Sequence, residues 1–288
     1  MATRYNAMIF SNNTDALFRL WINEFHNAIT GFGWVQTGDT GQINFSTATH
    51  PTTTSTYPGY ALYRMNDSFQ STTPVYIRVD FGSTPNLADR PGIKIQLVIG
   101  TTDGAGNLTG GALSSQIQTN ANASYNSTTV GMRSSGDAGS FRFHAALNDT
   151  ASAGFCVIIE RDKDAAGNDT AQGVNLLVYH NPGSASPSSQ YMDKSGALGS
   201  LDTKWWSLVH ASSNNGGGAG VVRTQMGRFR NPLKGVVVVT QTDFTSGVAV
   251  SLPMYGVNHN YMMLSPQAGT GTAINGLNTA CKFGILWE

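Results

Sequence analysis

Residues 75–81 alternate strictly, with Val75, Ile77, Val79 and Phe81 on one side of an extended backbone and Tyr76, Arg78 and Asp80 on the other. A strand buried on one face reads this way, because successive side chains leave it on opposite sides. The same period returns in Ile93, Ile95, Leu97 and Ile99 and in Phe141, Phe143 and Ala145, with residues 60–65 as a weaker instance. These segments are expected to be half-exposed antiparallel strands. Residues 155–159 and 174–179 are apolar on both faces, and 236–239 is unbroken valine. Such strands require cover on both sides. The expected fold class is therefore mainly β: an antiparallel β-sandwich, jelly-roll-like, with one N-terminal α-helix and long loops.

That helix is predicted over about residues 15–29 from the three- and four-residue spacing of Leu17, Leu20, Trp21, Phe25 and Ala28 against Arg19, Asn23, Glu24 and Asn27. Residues 11–15 offer several N-caps and Gly31 a terminator. Its apolar stripe suits either a sheet or a neighbouring subunit. Two segments share the pattern Asp-x-x-Gly-Asn, at 103–107 and 164–168, each between β-rich flanks as a hairpin turn requires. The second begins like a calcium loop, but Ala166 stands where a ligand belongs and Gly173 replaces the closing glutamate. The chain is read as a single sandwich-type domain over 1–288. Pro, Gly and Ser in 181–200 mark an alternative sub-boundary that would leave a small C-terminal β part.

Charged residues make up 12% of the chain, about half of the roughly 25% of an ordinary soluble domain. Seventeen basic and seventeen acidic residues cancel, which removes the field that would attract nucleic acid and leaves little electrostatic resistance to self-association. A homo-oligomer is expected, with no nucleic-acid partner. Apolar runs are too short for membrane insertion. Cys156 and Cys281 are read as free thiols. The six histidines are scattered, and no nucleophile elbow, P-loop or dinucleotide fingerprint occurs. No catalytic, cofactor-binding or metal residue is therefore put forward, and no enzyme activity is expected.

Trp205 and Trp206 are adjacent, so in a strand their indoles point to opposite faces. Intramolecular packing, a subunit contact and ligand stacking are all open to them. Tyr191, Tyr255 and Tyr261 are read as lying in polar loops and complete the candidate interface set.

The runs GFGWVQTGDTGQIN from Gly31, PGYALYRMND from Pro58, STTPVYIRVDFGS from Ser71 and TTDGAGNLTG from Thr101 occur here in an order that resembles virion structural proteins of tailed bacteriophages. RSSGDAGSF from Arg133 and IIERDKDAAGN from Ile158 resemble that family's later portion, so the likeness spans about residues 1–180. It implies a β-rich accessory part of the tail (fibre, baseplate or adaptor-like) or of the head surface. Such a part would be made in the host bacterial cytoplasm, assembled with copies of itself and with other virion proteins, and carry no catalytic residues. A receptor- or carbohydrate-binding module at a fibre tip, touching host surface glycan, is the alternative, and a polysaccharide-degrading enzyme stands behind it.

Overall fold

A computed structural model describes residues 1–10, 14–84, 91–113, 117–118, 128–147, 154–181, 188–192, 198–200, 206–211, 218–223, 232–240, 247–264 and 281–288. Strand β1 (Ala2–Phe10) leads into helix α1 (Asp15–Gly31), and then come β2 (Val35–Gln36), β3 (Gly59–Arg64), β4 (Val75–Ser83), β5 (Pro91–Thr102), β6 (Leu108–Leu113) and β7 (Ile117–Gln118). The middle of the chain supplies β8 (Thr128–Asp137), β9 (Ser140–Leu147), β10 (Gly154–Lys163), β11 (Asp169–Asn181), β12 (Ser188–Met192) and β13 (Leu198–Ser200). The last part supplies β14 (Trp206–Ala211), β15 (Gly218–Arg223), β16 (Pro232–Thr240), β17 (Ala249–Met254), β18 (Val257–Leu264) and β19 (Cys281–Leu286).

These strands form three antiparallel sheets. A central sheet runs β1-β8-β9-β10-β11-β12-β13, a helix-side sheet β2-β3-β4-β5-β6 with β7 also on β5, and an outer sheet β14-β15-β16-β19-β18-β17. The mainly β, sandwich-like class expected from the alternation is what the molecule has. A third layer is added to it. The central sheet faces the helix and helix-side sheet on one side and the outer sheet on the other, so Val157 and Ile159 are buried toward one and Cys156 and Ile158 toward the other. That is the two-sided cover that the apolar run of residues 155–159 demands. Burial also pushes the Cys156 thiol up to about 12.

The helix works as a wedge between two sheets. Trp21 meets Phe81 of β4 edge-on at 6.0 Å and Phe155 of β10 at 6.2 Å, while Phe25 touches Phe81, Phe141 and Phe143. Each ring thus joins both sheets, in the tilted and edge-on geometries that aromatic quadrupoles favour. Thr14 caps the helix by accepting the Leu17 N–H. Gly31 is still helical, and the left-handed turn that ends the helix falls instead at Gly33, with φ +99°. The buried stripe is Phe18, Trp21, Ile22, Phe25, Ala28 and Ile29, whereas Leu20 is 57% exposed. At about 100° per residue Leu20 stands about 140° round the helix from Phe25 and so falls outside this stripe.

Both Asp-x-x-Gly-Asn segments, each with Ala before its Gly, are hairpin turns of one design, the first joining β5 to β6 and the second β10 to β11. In each, one carboxylate oxygen of the Asp accepts the N–H of the Ala and of the Asn, and the other accepts the Asn side-chain amide. The Asp164 carboxylate is thereby spent on its own loop.

The wedge yields a contrast to test. Trp21→Ala should cost about 3–5 kcal/mol by opening a void between two sheets, whereas Leu20→Ala should stay within about 0.5 kcal/mol. Urea unfolding of the two variants measures the difference.

Candidate functional site

Four of the runs singled out in the sequence meet at one end of the central sheet, around the β8–β9 turn at residues 137–140. From the run at Gly31, Trp34 donates its indole N–H to the Ser140 carbonyl at 3.3 Å, and Gly33 lies against Ala138. From PGYALYRMND, the Asn66 N–H bonds the Ala138 carbonyl at 3.0 Å. Asp137 folds the turn by accepting from the Gly139 N–H and the Ser140 hydroxyl. From IIERDKDAAGN come the charges.

Residues 160–163 stay within β10, where the side chains of Glu160 and Arg161 leave opposite faces of the central sheet, and a register shift against β11 between Arg161 and Lys163 returns Lys163 to the side of Glu160. Arg161, wholly buried, points to the helix side. Its guanidinium takes both carboxylate oxygens of Asp67 and donates to the Thr73 carbonyl at 3.1 Å. The connection between β3 and β4 is thereby fastened to β10, and the Thr73 hydroxyl adds a bond to the Ala171 carbonyl.

Glu160, equally buried, points to the outer sheet. Its two oxygens accept the N–H groups of Lys234 at 2.9 Å and Gly235 at 2.7 Å, Lys163 lies 2.9 Å from one of them, and Arg142 lies 3.4 Å from the other. Burial alone would raise its pKa, but Lys163, Arg142 and the Gly235 N–H outweigh that and hold it below the usual carboxylate value. The Lys163 ammonium is opposed by burial in the same way and is raised on balance by Glu160 and Asp169. Asp169 shares that ammonium, yet burial and the nearby Glu160 and Asp137 lift its carboxyl. Gly235 is required here by space: a side chain would overlap both the Arg142 guanidinium and the Glu160 carboxylate. A polar cleft of about 330 Å³ opens beside this cluster, lined by Asp137, Arg142, Lys163, Asp169, Lys234 and Glu288 among others.

The chemistry of the node is that of a fastening. Each charge is answered by an opposite charge or a backbone dipole; the Ser135 hydroxyl adds a bond across the layers to the Leu286 carbonyl, and the Tyr261 hydroxyl one within the outer sheet to the Lys234 carbonyl.

Tyr261 therefore needs correcting as an external contact. It lies in β18 rather than in a polar loop, is wholly buried, and burial pushes its phenol up. Tyr255 is half-buried at the β17–β18 turn, with φ +52°. Its ring rests on the second hairpin so closely that a methyl group at Gly167 would come within 2.6 Å of it. Trp205 lies outside the described residues. Trp206 begins β14, and Tyr191 in β12 pairs with Leu177 and Gly199, but their side chains lie outside the described parts. Of the five candidates only Tyr255 and Tyr261 have described side chains, and these two share one apolar cluster of the outer sheet. The Glu160–Arg161 pair escaped the sequence reading, although charged residues following an apolar strand with no turn between them were its visible signal.

A second polar groove, of about 420 Å³, lies on the helix-side sheet between Gln36, Asp39, Arg64, Tyr76 and Thr102. Gln42 holds its rim by donating to the carbonyls of Thr37 and Asp39 and accepting from Gln36 and the Leu62 N–H. No protein family, no curated protein and no solved structure matches this chain.

Removing the Glu160 carboxylate should be costly. Glu160→Gln leaves Arg142 and Lys163 buried without their counter-charge, for a loss of roughly 3–5 kcal/mol at neutral pH. Because the folded pKa is depressed, this contribution is whole above the ordinary value of 4.5 and is lost as pH falls through the lower folded value. The stability gap between wild type and variant in urea should therefore narrow below pH 4.5; a gap unchanged into strong acid would contradict the assignment.

Proposed function

We propose that this chain is a structural component of a tailed-phage particle, an accessory protein of the tail or head surface that acts by symmetric assembly. The phage reading is supported by the resemblance of the runs between Gly31 and Asn168, four of which converge on one turn. The assembly reading is carried by one observation. Six large apolar side chains stand exposed on the described surface, and three of them follow one another along a single strand: Met1 immediately before β1, and Tyr5 and Ile9 within it. Clustered exposed apolar groups mark contact surfaces, and a chain of zero net charge has little to keep copies apart. Mass spectrometry of purified particles should find the protein at a fixed copy number. Its absence from particles would remove this reading.

The groove at Tyr76 favours a second reading, a module that binds host glycan. An aromatic ring beside the planar polar groups of Gln36, Asp39 and Arg64 is the set that meets a sugar's apolar face and its hydroxyls. On a glycan array, purified protein should then give signals that Tyr76→Ala and Arg64→Ala abolish; a blank array would dismiss it.

A further inference from the structure

Strand β1 is an outer edge of the central sheet. It pairs with β8 through all nine of its residues without a bulge, from Ala2 opposite Gly136 to Phe10 opposite Thr128, and among the described residues no strand lies on its other side. Edge strands of this length are ordinarily guarded by lysine, proline, a bulge or an inward charge, because their open N–H and C=O groups template further pairing. Here the sequence ATRYNAMIF holds no lysine or proline, and its one charge is engaged on its own chain: the Arg4 guanidinium bonds Glu24 of α1 at 2.5 and 2.8 Å. Asn6 bonds the same carboxylate at 2.9 Å, which fixes the even-numbered side chains on the helix side of the strand. Thr3, Tyr5, Ala7 and Ile9 form the opposite face and are all exposed. The Ala7 N–H is capped by the neighbouring Asn6 side-chain oxygen at 2.8 Å, so the odd-numbered residues are those whose backbone groups point away from β8.

We propose that two copies of the chain pair β1 against β1, antiparallel about a two-fold axis through Asn6, and so join their central sheets into one. The proposal rests on the assembly reading above and names its partner. In this register odd residues meet odd residues, which brings the outward backbone groups together. Tyr5 of each copy lies opposite Ala7 of the other and Ile9 opposite Thr3, setting large side chains against small ones. Arg4 lies opposite Met8, so no like charges face each other. A two-fold contact of this kind is self-complementary and closes on itself.

Light scattering coupled to size-exclusion chromatography of the full chain, over a dilution series, tests the pairing. Wild type is expected at twice the chain mass of 30.6 kDa. Ala7→Pro sets a ring without an N–H on the outward edge, blocking the approach of a second strand while sparing the bonds to β8, and should elute as a monomer. Ile9→Lys places a guarding charge on the same edge and should weaken the dimer at least tenfold, whereas Val257→Lys, exposed on the outer sheet, should leave it unchanged. Should the proline variant fail to fold, as read by circular dichroism, the lysine variant decides. A monomeric wild type, or assembly that Ile9→Lys and a folded Ala7→Pro leave intact, overturns the proposal. A monomer still found in purified particles would remove the strand pairing alone, and a dimer missing from particles would remove the virion reading alone.

Discussion

Two adjacent side chains hold three layers together. In a strand buried on both faces every side chain enters an interior, and at Glu160 and Arg161 those side chains are charged. Each must be met within its own layer interface, since an unpaired buried charge costs far more than a hydrogen bond returns. Glu160 is answered from the outer sheet by two backbone N–H groups, and Arg161 from the helix-side connection by Asp67. A buried ion pair adds little net stability against apolar packing of the same volume. What it contributes here is register: apolar layers can slide by a residue, whereas a carboxylate that must reach Lys234 and Gly235 together cannot.

This division of labour explains why the resemblance segments lie where they do. Their apolar parts, such as residues 75–81, build the core with the helix aromatics. Their polar parts leave that core at one end, where Asp67 closes on Arg161 across 94 residues of sequence, Asp137 folds its own turn and Glu160 turns to the outer sheet. The outer sheet, formed from residues after 205, is bound to the same node through Lys234, Gly235 and Leu286.

Legibility in the sequence followed exposure. β4 could be read residue by residue because its first four positions alternate between buried and half-exposed. The hairpin turns were readable because their chemistry is local, with Asp, Gly and Asn at fixed offsets. The end of β10 was not: its polar residues look like the approach to a turn unless partners distant in the chain are known. Nor was β1 readable as a strand, since Arg4 and Asn6 take helix-side positions that pattern arguments reserve for apolar groups. Tyr261 misled for a related reason. Its neighbours Asn258 and Asn260 are exposed on one side of β18 while its ring fills the other, so polar context in sequence marked the strand's outer face rather than a loop.

The placement of β1 also bears on how the edge is prepared. Its pairing with β8 joins residues more than a hundred positions apart, and such contacts form only after the intervening chain has paid its loop-closure entropy. The helix shortens that path. α1 follows β1 directly, and Glu24 gathers both Arg4 and Asn6, so the strand can be aligned on the helix before the central sheet receives it. A helix that also carries Trp21 and Phe25 into both sheets is fixed by the core, and it passes that rigidity outward through Glu24. The outermost strand is thus held straight by side-chain bonds on one face and by β8 on one edge. The conformational cost of presenting its other edge has been met within the monomer.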